Sequence, residues 1–166
     1  MDIKVSDYII RHLEEYGVRD VFLLSGGGMM HLLDSLFQSS KIRPYCNLNE
    51  QACSICTDAY AQATGELAVC MVTSGPGATN AITGAVNSWI DSEPVLVISG
   101  QAKTSDLVGD RGVRQCGSQE VNITAMMQCV TKYAVTIKDK LMVKYHLDKA
   151  IYLATHGRRG TVWLDV

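Results

Sequence analysis

Short, continuous apolar runs alternate with longer amphipathic segments along this chain. Residues 21–24, 67–72 and 95–98 are nearly all apolar, which is typical of strands buried on both faces of a parallel sheet. Apolar side chains recur at helical spacing in Val5–Tyr16, before the first run, and in residues 29–37, between the first and second runs. The alternation predicts an α/β domain: a doubly wound, mainly parallel sheet of about six strands with helices on both faces.

The rest of the chain extends the same pattern. Further strands are predicted at residues 45–48, 133–137 and 161–166, and further helices at Glu50–Thr64, from the turn after residue 75 to residue 89, at 121–128 and at 141–155. Gly17 and Gly65 stand where helices should end. Residues 102–119 have no periodicity and are predicted to form a long loop, of the kind that is often functional or mobile.

Composition limits the classes of function. The chain has 166 residues, of which 47% are hydrophobic and 19% charged, and its formal net charge is −2 without a basic block. One folded domain is therefore expected, with no nucleic acid or membrane as partner. No leader-like start and no apolar run of about 20 residues is visible, so we expect a cytoplasmic protein with its six cysteines reduced. Cys53 and Cys56 form a lone C-x-x-C pair, which is too little for a metal site.

Two glycine-rich turns follow predicted strands and precede helices, at residues 25–28 and 73–77. Ligands of parallel sheets bind at such places, where backbone and helix N-termini converge. Taken alone, the first turn is typical of an ordinary strand-to-helix connection, since it matches neither G-x-G-x-x-G nor a P-loop. A single Glu in a first helical turn, such as Glu50, is typical of a surface residue.

The combination of motifs is more specific. Asn49-Glu50-Gln51-Ala52 is followed in order by residues 58–65, 73–80, 91–94 and 99–101. Together these segments resemble the pyrimidine-binding domain of thiamine-diphosphate-dependent enzymes of the acetolactate synthase, pyruvate oxidase and pyruvate decarboxylase family. The resemblance extends from residue 5 to residue 166. It implies that residues 1–166 form that domain, and that the central and diphosphate-binding domains of the parent enzyme lie outside this chain.

The resemblance also implies roles for individual residues. Glu50 matches the glutamate that hydrogen-bonds N1′ of the cofactor's aminopyrimidine ring, and we expect it at a helix N-terminus, largely buried, beside a cleft. Gln119 matches a glutamine near the reacting carbon, although an exposed loop glutamine is the alternative interpretation. The cofactor-binding set is Gly26, Gly27, Glu50, Thr73, Pro76 and Asn80. Gln101 and Lys132 match family positions without a defined role.

Cofactors and partners follow from the same resemblance. Thiamine diphosphate is implied, with Mg²⁺ held by a domain absent from this chain, because residues 109–112 (Gly-Asp-Arg-Gly) lack the family's G-D-G motif. Whether the parent enzyme also binds FAD stays open. The implied substrate is a 2-keto acid, and the implied assembly is a homodimer or tetramer with the active site between subunits. The isolated chain is expected to be inactive.

Three departures from the family pattern leave the substrate open. Asn49 replaces a frequent His, Ser118 replaces a Phe common in acetolactate synthases, and Ser25 replaces a frequent Pro. The first hypothesis is 2-keto acid decarboxylation with aldehyde transfer, with branched-chain amino acid biosynthesis as one setting. The alternative within the family is a non-ligating decarboxylase or carbon–carbon lyase. The alternative from another class is a non-catalytic nucleotide-binding or interaction module.

Overall fold

Six parallel strands form the centre of the protein. The computed structural model describes residues 3–166, and its single sheet has the strand order β2-β1-β3-β4-β6-β5. The strands are β1 (Asp20–Leu23), β2 (Arg43–Cys46), β3 (Ala68–Val72), β4 (Val95–Ser99), β5 (Tyr133–Thr136) and β6 (Val162–Asp165). Every neighbouring pair is parallel, which confirms the predicted doubly wound α/β class.

Helices cover both faces of the sheet. Within the described residues they are α1 (Val5–Tyr16), α2 (Met30–Gln38), α3 (Glu50–Thr64), α4 (Pro76–Asn80), α5 (Ile82–Asp91), α6 (Ile123–Met127) and α7 (Val143–Thr155). Helices α1, α2 and α7 contribute to one hydrophobic core, and α3, α5 and α6 contribute to the other. The two cores lie on opposite sides of the sheet.

The strands supply alternate side chains to the two cores. In β3, Val69 and Met71 belong to the core with α1, whereas Ala68, Cys70 and Val72 belong to the core with α3. This is the period-two geometry of a strand. It explains why the strand sequences are apolar throughout rather than alternating, because both faces are covered.

Local capping signals set the ends of the helix that begins with Glu50. The side chain of Asn49 accepts a hydrogen bond of 2.8 Å from the amide of Gln51 and caps the first turn. At the other end Gly65 adopts the left-handed conformation, with φ +68°. Both bounds of α3 agree with the sequence prediction.

Other boundaries differ from those predicted. Strand β2 spans Arg43–Cys46 instead of residues 45–48, because its register with β1 places Arg43 beside Asp20. The helix expected through residue 89 is divided at Ala81 into α4 and α5. The helix expected over residues 121–128 is confined to α6. Helix α7 begins after a 3-10 turn, in which the side chain of Asp139 accepts a hydrogen bond from the amide of Leu141.

The cysteines are free, as predicted, but only some belong to the core. Cys53 and Cys70 are buried, whereas Cys46, Cys116 and Cys129 are exposed. No helix in the described part of the chain is long and apolar enough to cross a membrane.

Candidate functional site

Three loops meet at the carboxyl ends of neighbouring strands. Strands β2, β1 and β3 are adjacent in the sheet, and the segments that follow them are residues 47–49, 24–29 and 73–75. Because the strands are parallel, all three segments lie along one edge of the sheet. The candidate site is the group of side chains and backbone that these segments carry.

Glu50 is the first residue of α3. Its carboxylate lies at a helix N-terminus, where the unpaired backbone amides favour negative charge. One oxygen, Oε2, accepts a hydrogen bond of 2.9 Å from the side-chain amide of Asn80. Among residues 3–166, no protein donor contacts the other oxygen, Oε1, which remains available to a ligand. The side chain is partly buried, less than the largely buried position expected from the sequence.

Thr73 connects the two glycine-rich turns. Its hydroxyl accepts a hydrogen bond of 3.0 Å from the amide of Gly28. A Cβ placed on Gly26 would lie 2.6 Å from Thr73 Cγ2, and one on Gly77 would lie 2.5 Å from the same methyl. Both glycines are therefore needed for backbone to pack directly on this side chain.

Gly77 also connects Thr73 to the carboxylate of Glu50. A Cβ placed on Gly77 would lie 3.3 Å from Glu50 Oε1. The missing side chain of Gly77 therefore leaves space beside the oxygen that has no protein donor. The structure brings Gly26, Thr73, Glu50 and Asn80 into one connected group.

Gly27 and Pro76 are at the margin of this group. Gly27 is exposed, and a Cβ on it would meet no atom within 4 Å. Pro76 is exposed at the start of α4, after Gly75, whose φ is +59°.

Gln119 lies next to the second glycine turn. It has φ +56°, which is unusual for a residue other than glycine. Its backbone carbonyl lies so close to Gly75 that any Cβ there would overlap it. The side chain of Gln119 is exposed, and it makes no hydrogen bond to Glu50 or Asn80 within the described residues.

Glu120 was missed by the sequence analysis as a functional residue. Its buried carboxylate accepts hydrogen bonds from the backbone amides of Val108 (2.7 Å), Cys116 (3.0 Å) and Gly117 (3.2 Å). These bonds, led by that from Val108, lower the pKa of Glu120 below its ordinary value. Glu120 therefore holds both ends of the loop that carries Gln119. No local sequence pattern identifies such a contact.

Gln101 and Lys132, which match family positions without a defined role, form hydrogen bonds within the fold. Gln101 donates to Asp165 Oδ2 at 2.9 Å and to the carbonyl of Val121 at 3.1 Å. Asp165 is buried at the end of β6, and burial raises its pKa. Lys132 donates to the carbonyls of His156 and Arg158 at 2.9 and 2.6 Å. Gln101 and Lys132 thus tie connecting segments to the sheet.

The cysteine pair in α3 does not form a metal site. Cys53 donates to the carbonyl of Asn49 at 3.3 Å, and burial raises the pKa of its thiol to about 12. Over the described part of the chain, no three His, Cys, Asp or Glu side chains come together in a group that could hold a metal ion.

Sequence comparisons give the class to which this fold and site belong. The family described as "Thiamine pyrophosphate enzyme, N-terminal TPP binding domain" matches residues 3–126. This chain belongs to that family.

The curated relatives include large subunits of acetolactate synthases. The chain is 37% identical to acetolactate synthase isozyme 3 large subunit of Escherichia coli K12, over 97% of this chain and 27% of that protein. It is 35% identical to the probable acetolactate synthase large subunit of Methanocaldococcus jannaschii, over 99% and 27%. It is 36% identical to the chloroplastic acetolactate synthase 2 of Nicotiana tabacum, over 98% and 24%. The chain thus spans about a quarter of the length of these relatives.

Proposed function

We propose that this chain forms the aminopyrimidine half of the active site of a thiamine-diphosphate-dependent, acetolactate synthase-like enzyme that acts on 2-keto acids. The observation that carries the proposal is the carboxylate of Glu50. It lies at a helix N-terminus and is oriented by Asn80, and no donor from residues 3–166 contacts its Oε1. That oxygen can share a proton with N1′ of an aminopyrimidine ring, and this is how Glu50 would activate the cofactor.

The surrounding residues fit a flat heterocycle. Gly26 and Gly77 bring bare backbone against Thr73, and the absence of a side chain on Gly77 leaves space beside Glu50. Thr73, Pro76, Gly27 and Asn80 would line the pyrimidine end together with Gly26. When bound, thiamine diphosphate supplies the nucleophilic carbon and the electron sink for decarboxylation. The residues of this chain hold the ring and control the proton at N1′.

Gln119 would act on the substrate. Its backbone carbonyl and Cβ lie beside Gly75, in the turn that precedes α4. A primary amide there can donate a hydrogen bond to a carbonyl or enolate oxygen of a 2-keto acid. Because the chain is a quarter of its relatives' length, we propose that further domains of the parent enzyme bind the diphosphate through Mg²⁺. The complete site would then form between subunits of a cytoplasmic homodimer or tetramer.

Isotope exchange at C2 of the cofactor tests the role of Glu50. In the parent enzyme loaded with thiamine diphosphate and Mg²⁺, Glu50→Gln should slow this exchange by ~10²-fold or more, the scale of a lost acid–base catalyst. Glu66→Gln, at an exposed glutamate after α3, is the matched control and should leave the exchange rate unchanged. Equal exchange in the wild type and Glu50→Gln, measured by NMR, would remove Glu50 from the mechanism.

A further inference from the structure

Gln119 has a backbone conformation that its residue type does not favour. Its φ is +56°, and among the described residues other than glycine only Ser92 also has a positive φ. Gln119 lies in a turn that is closed by a hydrogen bond of 3.2 Å from the amide of Glu120 to the carbonyl of Gly117. A positive φ in such a turn favours Gly or Asn. A residue held in this conformation by its surroundings often marks a functional position.

The turn at Gly75 holds Gln119 from one side. Gly75 has φ +59° and ψ −119°, and the amide of Gly77 donates to the carbonyl of Ser74 at 3.3 Å. These values fit a type II′ turn with glycine at its first central position. Because Gly75 has no side chain, its backbone packs directly against the carbonyl of Gln119. A Cβ on Gly75 would overlap that carbonyl and would lie 3.0 Å from the Cβ of Gln119.

The first glycine turn supports the turn at Gly75. A Cβ placed on Gly28 would lie 2.6 Å from the hydroxyl oxygen of Ser74 and 3.1 Å from its backbone nitrogen. Gly100, directly after β4, packs on Gly28 in turn, and an added Cβ there would overlap the carbonyl of Gly28. Packed backbone of this kind leaves no space to absorb a new group. A side chain at position 75 would therefore displace the exposed loop that carries Gln119.

Glu120 holds the same loop from its base. Its buried carboxylate accepts hydrogen bonds from the amides of Val108, Cys116 and Gly117, as described above. The last two amides lie within three residues of Gln119 along the chain. These bonds restrain the loop where it could otherwise relax, and they keep the unfavourable φ of Gln119 in place.

The turn that packs on Gln119 also reaches the carboxylate of Glu50. Gly77, two residues after Gly75, leaves the space beside Glu50 Oε1. Residues 74–77 therefore lie between Gln119 and Glu50 and set the position of one relative to the other. A reaction in which one group acts on the cofactor and the other on the substrate depends on such a fixed separation.

We propose that Gly75 and Glu120 are positioning residues that hold Gln119 in its strained conformation, at a fixed place relative to Glu50. The proposal rests on the proposed function, in which Gln119 acts on the 2-keto acid. Gly75 acts through the backbone of Gln119, and Glu120 acts through the loop. The substrate step therefore depends on both residues, whereas ionisation of the cofactor at C2, which depends on Glu50, does not.

Two rates in the parent enzyme loaded with thiamine diphosphate and Mg²⁺ separate these steps. One is C2 exchange without substrate, and the other is kcat/KM for the 2-keto acid that the wild type turns over fastest in a panel that includes pyruvate. Gly75→Ala and Glu120→Gln should each lower kcat/KM by about tenfold or more, the scale of a misplaced positioning group. Neither variant should change the rate of C2 exchange. Unchanged kcat/KM in both folded variants, or an equal loss in the two rates, would overturn the proposal.

Gly112→Ala is the matched control for Gly75→Ala. Gly112 belongs to the same loop as Gln119 and has φ +70°, but no atom lies within 4 Å of its Cβ position. The variant therefore adds the strain of a positive φ without a contact to Gln119, and both rates should equal those of the wild type. Equal losses of kcat/KM in Gly112→Ala and Gly75→Ala would assign the effect to backbone strain and contradict the positioning role.

A double-variant cycle shows whether the two residues act through Gln119. In a Gln119→Ala background, Gly75→Ala and Glu120→Gln should cause little further loss of kcat/KM, because the group that they position is already missing. A further loss as large as in the wild-type background would overturn the proposal. If Gly75→Ala does not fold by circular dichroism, Glu120→Gln completes the same cycle. Failure of the proposed function has a different result, since Glu50→Gln would then leave C2 exchange unchanged.

Discussion

Asn80 and Glu50 are joined by a hydrogen bond of 2.9 Å between the side-chain amide of Asn80 and one carboxylate oxygen of Glu50. The bond connects the last residue of α4 to the first residue of α3. It orients the carboxylate, whose second oxygen has no donor among the residues that the structure describes. The arrangement depends on an uncharged donor at position 80.

Asn80→Asp should therefore destabilise the chain more than Asn80→Ala. The alanine variant loses only a partly solvated hydrogen bond. The aspartate variant places two carboxylates at hydrogen-bond distance, which costs roughly 1 kcal/mol more near the surface at neutral pH. Urea unfolding at low salt measures both free energies of unfolding. The difference should shrink when salt is raised, because screening weakens the repulsion. Equal stability of the two variants at low salt would contradict the contact.

Neighbouring glycines give a matched test of the packing on Thr73. Gly26→Ala should lower the free energy of unfolding by about 1–3 kcal/mol, because the new methyl overlaps the Thr73 side chain and the turn must shift. Gly27→Ala should change stability by no more than about 0.5 kcal/mol, since no atom lies within 4 Å of its Cβ position. Thermal unfolding of both variants measures the two changes in stability. Similar losses would mean that Gly26 does not pack as described.

Glu120 should control the folding of the loop before it. In Glu120→Gln the side chain has one acceptor oxygen in place of two, and its amide group faces backbone N–H donors. At least one of the three amides, those of Val108, Cys116 and Gly117, then loses its partner. Trypsin cleavage after Arg111 and Arg114 should become about tenfold faster or more, from a loss of roughly 1.5–3 kcal/mol. Glu66→Gln is the control and should be cleaved at the wild-type rate.

Low pH should weaken the hydrogen bonds that the carboxylate of Glu120 accepts. The pKa of Glu120 is lower in the folded protein than its ordinary value of 4.5. Its stabilising contribution is therefore complete above the pKa of the unfolded chain and is lost as the pH falls through the lower folded value. Urea midpoints measured at decreasing pH should fall more steeply for the wild type than for Glu120→Gln. If the urea midpoints of the two proteins fell equally with pH, the protonation of Glu120 would not be linked to folding.

The sequence predicted the elements of this fold where local signals are strong. The predicted bounds of helix α3 coincide with two local signals, the cap at Asn49 and the left-handed Gly65, both of which act within a few residues. The predicted position of strand β2 was wrong because β2 lies at the edge of the sheet, where the side chains of a strand need not be apolar. The prediction placed the strand at residues 45–48 and so included the apolar Leu48, yet Leu48 is 99% exposed.

The contacts within the site could not be predicted from local sequence patterns. Gly26 packs on Thr73 only because β1 and β3 are neighbours in the sheet, and this strand order is a property of the whole fold. The motif resemblance selected Glu50, Thr73 and Asn80 but gave no distances. Glu120 was missed because its partners are backbone amides of an aperiodic loop.

The isolated chain should bind thiamine diphosphate only weakly at the Glu50 site. Most affinity for such a cofactor comes from charged contacts to its diphosphate, and no metal-binding group of acidic side chains occurs in the described residues. We expect a dissociation constant above about 1 mM at the Glu50 site, whether or not Mg²⁺ is added, and no turnover of 2-keto acids.

Calorimetry with thiamine diphosphate and Mg²⁺, on the wild type and on Glu50→Gln, tests this expectation. Weak binding that is equal in the wild type and Glu50→Gln would lie outside the Glu50 site. Micromolar, Mg²⁺-dependent binding in the wild type that is lost in Glu50→Gln would show that residues 1–166 hold the complete cofactor site. In that case the diphosphate would be anchored by this chain, and the proposal of a separate diphosphate-binding domain would be wrong.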